Sequence, residues 1–502
     1  MADSPRLTGL GDIPARVRLP GYAPGEHEVG IVHIGVGAFH RAHQAVYTDD
    51  VLAASGGNWR IQGISLRGSA TVRALQEQQG FYTVLTRGSE GTSARIIGSL
   101  AGVIDASHDA GAAMAALVRP ETRIVSLTVT EKAYGLERAS GKVLITHPAI
   151  AQDLSHPAAP TGVIGVLFRA LQQRRAAGLA PFTVLCCDNL PDNGALLRAG
   201  IIDFARRIDP ALAEWIALQV AFPSSMVDRI TPAPTAATLD DAREATGHED
   251  RAAVETEAFS QWVLEDRFTC GRPDWAAAGV LLVRQVAPYE HMKLRMLNGA
   301  HSLIAYLGHV AGERYVRDVM RRQAMAHAVR AHLLAAMQTL SPLDGIDLAE
   351  YAEDLMQRFA NPAIAHETYQ IAMDGTEKLP QRLFAPALDA LDSGGDGQAY
   401  ALAVAAWMRY CMAKTDDGVF YALRDPREPE LAACVARHRD NPESIVDALF
   451  DLPDLFPARL QHASAWRHRV SHCFTLMLEQ GMSEALNICR AMPRWPESRA
   501  GA

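Results

Sequence analysis

The sequence lacks the basic excess that nucleic-acid binders carry. Among its 502 residues, Lys and Arg number 48 and Asp and Glu number 57, which gives a formal net charge of -9. Phosphate backbones are bound by basic surfaces, so this balance argues against a general nucleic-acid partner. A small anionic ligand remains compatible with the sequence, because it needs only a local cluster of donors.

Cysteine is scarce and has no metal-ligand spacing. The seven cysteines are odd in number and include no CxxC pair, which argues against a four-cysteine zinc site and favours reduced, buried thiols. They are Cys186, Cys187, Cys270, Cys411, Cys434, Cys473 and Cys489.

Long apolar segments and repeats are also missing. No run approaches the roughly 20 apolar residues of a membrane span, and the N-terminus has no apolar signal region. Hydrophobic residues make up 48% and charged residues 21%, which is ordinary globular usage and excludes a disordered or fibrous chain. We therefore expect a soluble cytoplasmic protein with a sizeable core, no membrane association and no nucleic-acid partner.

The first half of the chain alternates strand and helix patterns. The apolar run 30–37 predicts a strand buried on both faces, 38–55 a helix, and 58–67 the next strand. Strand patterns near 123–128, 181–187 and 225–228 continue the series, with helices over 161–178 and 194–208 between them. This order predicts an α/β fold with a parallel sheet.

Past about residue 285 the pattern becomes mostly helical. Amphipathic or apolar helices are predicted over 346–359, 399–414 and 463–481, and few strand-like runs remain. We therefore expect two domains, 1–285 and 286–502.

A glycine-rich turn follows the first predicted strand. Gly35-Val36-Gly37-Ala38-Phe39-His40 opens like the dinucleotide-binding fingerprint, with His40 in place of the third glycine. Gly35 permits a tight turn, Gly37 lets the backbone approach a pyrophosphate, and the next helix offers free N–H groups. The alternative is an ordinary glycine turn.

The second predicted strand ends without the acid that binds the ribose of NAD. Arg67 and Gly68 stand there instead. An arginine can meet the 2′-phosphate of NADP, so NADP is not excluded. Arg67 is equally compatible with a solvent-facing surface residue.

The segment 293–301 places Lys293, Asn298 and His301 within one half of a predicted regular helix. A desolvated lysine can act as acid or base, and an asparagine amide can hold a developing alkoxide. This set suits carbonyl–alcohol chemistry; the alternative is a polar helix face with unrelated roles.

Two further polar residues follow predicted strands at the edge where ligands bind in open α/β sheets. They are Asn189 and Asp228, and each alone is also typical of a turn or cap. A catalytic zinc is not predicted. His40 and His43 are three residues apart, Cys186 and Cys187 would face opposite sides of a strand, and no third ligand has suitable spacing.

Five segments in order carry a family resemblance: 35–44, 126–131, 187–194, 226–232 and 293–302. Together they resemble the polyol-specific long-chain dehydrogenases, which include mannitol 2-dehydrogenase and the hexuronate oxidoreductases. The resemblance implies an expanded Rossmann-type N-terminal domain, a mostly α-helical C-terminal domain and zinc-independent, NAD(P)-dependent oxidation of a secondary alcohol.

The resemblance also implies a role for each matching residue. Lys293 would be the general acid/base, Asn189 and Asn298 the oxyanion hole, and His301 the residue that orients the substrate. Glu290 would relay the proton, and Asp228 would lie near the nicotinamide and the substrate. The pyrophosphate would be held by Gly35, Val36, Gly37, Ala38, Phe39, His40 and Arg41.

Within the family, segments 129–135 and 370–382 resemble the fructuronate reductases. Lys132, Lys378 and Arg382 could bind the carboxylate of a hexuronate, although they are also compatible with surface or packing roles. We therefore expect interconversion of D-fructuronate and D-mannonate, with oxidation of D-mannitol to D-fructose as the alternative. An inert dinucleotide sensor on the same fold should have lost Lys293 or Asn298, and both are present. The resemblance favours a monomer over an oligomer.

Overall fold

The computed structural model describes residues 4–88, 91–438 and 441–486. The chain divides into two units, Met1–Ala287 and Pro288–Ala502. The strands of the first unit are β1 (Val29–Ile34), β2 (Arg60–Ser65), β3 (Tyr82–Gly88), β4 (Gly91–Ile97), β5 (Leu100–Asp105), β6 (Ile124–Leu127), β7 (Thr183–Cys186), β8 (Ser225–Asp228), β9 (Val254–Glu257), β10 (Gln261–Glu265) and β11 (Leu281–Val283).

A five-stranded parallel sheet forms the centre of the first unit. Its strand order is β5-β2-β1-β6-β7, and Ile31 of β1 pairs with both Ile61 and Ile124. In β1, Val32 and Ile34 pack into one core cluster while Ile31 packs into the other, because successive side chains face opposite sides of a strand. The prediction of a parallel sheet buried on both faces is confirmed.

Two smaller sheets complete the first unit. One has the order β4-β3-β9, and the other has the order β11-β10-β8. In the second of these, β8 runs antiparallel to β10, and Asp228 pairs with Gln261. Asp228 is thereby fixed at the end of a strand whose four residues are all buried.

Helices cover the parallel sheet on both sides. The helices of this unit are α1 (Ala38–Ala42), α2 (Gln44–Ser55), α3 (Ala70–Glu77), α4 (Ala110–Val118), α5 (Pro148–Ser155), α6 (Val163–Ala176), α7 (Asn193–Ile208), α8 (Pro210–Gln219) and α9 (Ala236–Thr246). Of these, α9 packs on the smaller β4-β3-β9 sheet. Short 3₁₀ helices occupy Pro24–Glu26, Glu131–Tyr134 and Trp275–Ala278.

The prediction of one helix over 38–55 is wrong at a single residue. His43 leaves the helical region, with φ -121° and ψ -92°, and separates α1 from α2. Its ring donates to the carbonyl of Gln261 at 3.0 Å and packs against Phe39 and Trp262. These contacts come from distant parts of the chain, so the local helical pattern gives no sign of the break.

The second unit is helical. Its helices are α10 (Ala287–Met292), which begins at the last residue of the first unit, α11 (Gly299–Val310), α12 (Val316–Arg321), α13 (Gln323–Gln338), α14 (Leu348–Ala360), α15 (Thr368–Ala372), α16 (Gly375–Leu379), α17 (Ala385–Asp392), α18 (Gln398–Tyr410), α19 (Glu428–Arg437), α20 (Pro442–Phe450), α21 (Ala458–Gln461), α22 (Ser464–Gln480) and α23 (Met482–Ala485). Two π-helical segments, Lys293–Asn298 and Pro380–Phe384, interrupt the series. Within its described residues this unit has isolated β-bridges but no strand.

Burial explains why these helices form. Every residue of α18 from Ala399 to Tyr410 is buried, and α14 buries Tyr351, Leu355 and Phe359 along one stripe. Asp347 begins α14 by accepting from the backbone N–H groups of Ala349 and Glu350. In the described part of the chain, no helix is both long enough and apolar enough to cross a membrane. The six described cysteines form no disulfide with one another, and Cys489 lies outside the described residues.

Candidate active site

A cavity of about 640 Å³ opens in the first unit where β1, β2 and β6 end. The strand order of the parallel sheet reverses between β1 and β6, and ligands of open α/β sheets bind at such a reversal. The cavity is lined by Gly35, Val36, Gly37, Ala38 and Arg41 after β1, Arg67 after β2, and Thr128, Val129, Thr130 and Lys132 after β6.

The two glycines of the turn lack a side chain for different physical reasons. Gly35 has φ +102°, and a Cβ built on it would lie 2.1 Å from the carbonyl oxygen of Thr128. Gly37 has ordinary extended backbone, and a Cβ there would meet nothing closer than the Gly35 oxygen at 4.0 Å. Gly35 is therefore needed for the fold, whereas Gly37 leaves space inside the cavity.

These features fit a dinucleotide. The space at Gly37 lies beside the first turn of α1, whose leading N–H groups have no acceptor within the helix. Arg41 adds a guanidinium to the lining, and its Nε donates to the Gly37 carbonyl at 3.3 Å. The arrangement leaves room and donors for a pyrophosphate.

His40 and Phe39 do not line this cavity. His40 is fully buried and stacks on His33, with ring centroids 3.4 Å apart. Burial lowers the pKa of His33 to about 3 and holds the pKa of His40 well below its usual range, so both rings are neutral at pH 7. Phe39 stacks on His43. His40 therefore packs on His33 and Phe39 packs on His43, and neither residue lines the cavity.

Beneath the turn, His33 of β1 contacts the end of its own strand and the end of β6, two of the three strands that end at the cavity. Its Nε2 lies 3.0 Å from the Gly35 carbonyl oxygen and 2.9 Å from the Thr128 hydroxyl. Its Nδ1 lies 2.8 Å from the Ser126 hydroxyl on β6. The ring thus joins the end of β1 to the end of β6.

Two exposed cationic residues line the cavity: Arg67 after β2 and Lys132 after β6. None of the described residues that line the cavity is an Asp or a Glu. Lys132 lies in the 3₁₀ helix after β6, in a different unit from Lys378 and Arg382. The structure therefore places it with the glycine turn.

Asn189 and Asp228 belong to the same unit: Asn189 follows β7, and Asp228 is the last residue of β8. Asn189 is exposed in the loop that leads to α7, and Asp228 is buried. Asn193 ties this loop to β8, since its amide donates to the carbonyls of Asp188 and Ser225 and accepts from the Ser225 N–H.

In the second unit, the segment 293–301 departs from the regular helix predicted for it. Lys293–Asn298 is a π-helix, and α11 begins at Gly299. A π-helix closes i→i+5 hydrogen bonds, so Lys293 and Asn298 lie nearer to one face than the 3.6-residue period predicts. π-Helical turns are frequent at functional sites, and sequence periodicity does not reveal them.

Lys293 and Glu290 are both buried, with 8% of each residue exposed. Glu290 lies on α10, one turn before Lys293. The side-chain oxygen of Asn298 is buried and has no hydrogen-bond partner among the described residues. A buried acceptor without a partner is costly, and a hydroxyl-bearing ligand would satisfy it.

His301 is held neutral in cationic surroundings. Burial lowers its pKa well below the usual range, and electrostatic interactions with His366, Arg358, Arg382 and Lys293 lower it further. Its ring meets His366 edge-on at 5.2 Å, and its buried Nε2 has no hydrogen-bond partner among the described residues. This nitrogen can hydrogen-bond to a ligand hydroxyl.

Arg382 and Lys378 differ in their contacts. Arg382 donates to the Ser302 hydroxyl at 3.2 Å, one residue from His301. Lys378 donates to the carbonyls of Met373 and Ile371 and lies 3.9 Å from Asp374. The structure thus brings Arg382 beside His301 and engages Lys378 with the turn between α15 and α16.

Sequence reasoning missed four residues. Arg358 and His366 surround His301, and their only signal was a position near the resemblance segment 370–382. Asp188 and Thr130 form a contact at the cavity edge; both lie within the resemblance segments 187–194 and 126–131, but neither was assigned a role. Among the described residues, no three His, Cys, Asp or Glu side chains are grouped to hold a metal ion.

Both units of the chain match families of known proteins. Residues 29–277 match the mannitol dehydrogenase Rossmann domain, and residues 285–468 match the mannitol dehydrogenase C-terminal domain. The chain is 40% identical to D-mannonate oxidoreductase of Escherichia coli, over 96% of this chain and 99% of that protein. It is 38% identical to mannitol 2-dehydrogenase of Phaeosphaeria nodorum, over 89% and 80%.

A solved structure gives the same result. Mannitol 2-dehydrogenase of Pseudomonas fluorescens, in a ternary complex with NAD and D-mannitol, superposes with a TM-score of 0.85 at 35% identity, covering 97% of this chain and all of that one. The chain therefore belongs to the mannitol dehydrogenase family and is an oxidoreductase of the secondary alcohol dehydrogenase class.

Proposed function

We propose that this protein interconverts D-mannonate and D-fructuronate with a nicotinamide cofactor. The observation that carries the proposal is the cationic surroundings of His301, where Arg358 and Arg382 both act on one buried imidazole. A hexuronate brings a carboxylate that such surroundings favour, whereas a hexitol brings none. The 40% identity to D-mannonate oxidoreductase supports the same substrate class.

NAD is the proposed cofactor, bound by residues of the domain 1–285, and the domain 286–502 supplies the acid/base and most of the substrate residues. The NAD complex of the Pseudomonas fluorescens relative supports this choice, as does the space at Gly37. Bound nicotinamide would accept or donate the hydride at the substrate carbon. NADP is proposed as a second accepted cofactor, because no Asp or Glu lines the described cavity and Arg67, which does, could meet a 2′-phosphate.

In this proposal Lys293, in its neutral form, removes the hydroxyl proton during oxidation and returns it during reduction. Glu290, one turn away, passes that proton toward solvent. Asn189 and Asn298 stabilise the alkoxide by hydrogen bonding, so no metal is required for that step. Neutral His301 orients a neighbouring hydroxyl, and Asp228 lies near the reacting carbon.

The carboxylate would be bound by Arg382, with Lys378 and Lys132 as the further candidates that the family resemblance implies.

We further propose that the enzyme is cytoplasmic and acts as a monomer on small molecules.

The test is a substrate panel read at the nicotinamide absorbance, with D-mannonate, D-mannitol and other polyols, each with NAD and with NADP. One charge-assisted contact corresponds to about tenfold or more in kcat/KM, so D-mannonate should exceed D-mannitol by at least about tenfold. A parent enzyme that prefers D-mannitol would instead establish the alternative, oxidation of D-mannitol to D-fructose, which the 38% identity to mannitol 2-dehydrogenase favours.

A further inference from the structure

The loop after β6 contains a residue in a conformation that its side chain disfavours. Thr130 has φ +76° and ψ +148°, although threonine is β-branched. Positive φ brings a Cβ against its own backbone and is rarely adopted by such residues. The conformation therefore needs support from elsewhere in the fold.

Asp188 supplies that support from the loop after β7. One carboxylate oxygen accepts from the Thr130 N–H at 3.0 Å, and the other accepts from the Val129 N–H at 2.9 Å. The second oxygen also accepts from the hydroxyl of Tyr134 at 2.6 Å. Burial raises the pKa of Asp188, while these three hydrogen bonds lower it by favouring the ionised carboxylate.

The residues that Asp188 holds are part of the cavity. Val129 and Thr130 line it, and the carbonyl of the preceding Thr128 occupies the space that a side chain on Gly35 would need. A shift of this loop would therefore change the part of the cavity wall that adjoins the glycine turn. Asn189 follows Asp188 directly, and the Asp188 carbonyl accepts from the amide of Asn193.

We propose that Asp188 is a positioning residue for the cofactor: its carboxylate holds Thr130 in a strained conformation and so fixes the shape of the dinucleotide cavity and the start of the Asn189 loop. The inference rests on the proposed function for the identity of the ligand. It adds a residue that acts through the backbone of Val129 and Thr130 and not by contact with the substrate.

The decisive variant is Asp188→Asn, which has the same shape but presents an NH₂ group to one of the N–H donors. We expect the Kd for NADH, measured by titration calorimetry, to rise about tenfold, with a parallel rise in KM for the cofactor. Tyr134→Phe is the matched control, because it removes one hydrogen bond from Asp188 and leaves both backbone contacts; its Kd should stay within about threefold of the parent. Circular dichroism of each variant establishes that it is folded.

A second substitution separates positioning from a general structural role. Glycine adopts positive φ without a Cβ penalty, so Thr130→Gly introduced into Asp188→Asn should recover most of the lost NADH affinity. Thr130→Gly alone measures the effect of the missing side chain itself. An Asp188→Asn variant that binds NADH like the parent, or a double variant no better than Asp188→Asn, would overturn the inference while leaving the proposed function intact. A folded parent that binds neither NADH nor NADPH would overturn both.

Discussion

Gly35 and Gly37 lie two residues apart, and the structure predicts opposite consequences for the same substitution. In Gly35→Ala the new methyl group would lie 2.1 Å from the Thr128 carbonyl oxygen, at a residue with φ +102°. The backbone conformation costs alanine about 1–2 kcal/mol, and forced displacement of packed atoms typically costs a further 1–3 kcal/mol. Gly35→Ala should therefore be less stable by roughly 2–5 kcal/mol, with the Tm lowered by about 5 °C or more.

In Gly37→Ala the methyl group would point into the cavity, with nothing closer than the Gly35 oxygen at 4.0 Å. The backbone there is extended, so only the small preference of helix N-caps for glycine over alanine opposes the change, and stability should fall by less than about 1 kcal/mol. The methyl group removes the space into which a pyrophosphate would fit, so the Kd for NADH should rise at least about tenfold.

Thermal unfolding by circular dichroism and NADH titration calorimetry, run on both variants and the parent, separate the two effects. A Gly35→Ala variant as stable as the parent would refute the steric reasoning. A Gly37→Ala variant that binds NADH at the parent Kd would show that the cavity is not the pyrophosphate site.

Three further predictions concern the acid/base Lys293, the carboxylate contact of Arg382 and the buried His33. Lys293→Ala should lower kcat by roughly 10²–10⁴, the usual contribution of a positioned acid/base, while the Kd for NADH changes by less than about twofold; turnover at the parent rate would remove Lys293 from the mechanism. Arg382→Met should lower kcat/KM for D-mannonate about ten- to a hundredfold and leave kcat/KM for D-mannitol unchanged. The control Lys414→Met, which removes a cation that lies over the Phe420 ring, should change neither value. An equal fall in kcat/KM for both substrates in Arg382→Met would contradict the carboxylate contact. His33 has a pKa of about 3 in the folded protein and about 6.5 in the unfolded chain, so between these pH values only the unfolded chain binds the proton. The Tm should therefore fall as the pH drops below about 6.5. A His33→Asn variant whose Tm has the same pH dependence as the parent would argue against this.

Local features of the sequence were sufficient to predict the parallel sheet. Val32, Ile34 and their neighbours form an unbroken apolar run, which only a strand covered on both faces can bury, and that is the environment observed for β1. Gly35 was recognisable because a glycine directly after a buried strand and before a helix has few alternative explanations. The pattern of the second half predicted helices for the same reason, since its apolar stripes recur at the helical period.

Other features depend on partners distant in sequence. The break at His43 is stabilised by Gln261 and Trp262, more than 200 residues away, and the support of Thr130 comes from Asp188 in another loop. No window of local sequence contains both members of such a pair. The same limit applies to His301, whose neutral state results from burial and from charges on other helices.

The sequence by itself determined the alternation of strands and helices, the glycine turn and the residue types available for alcohol–carbonyl chemistry, because each strand, helix or turn has a pattern within its own segment. Tertiary structure alone decided which cations surround His301, that His40 packs beneath the glycine turn instead of lining the cavity, and that Lys293–Asn298 winds as a π-helix. The physical reason is that burial, electrostatic neighbours and departures from regular helix geometry are properties of packed surroundings, which form only when distant segments meet.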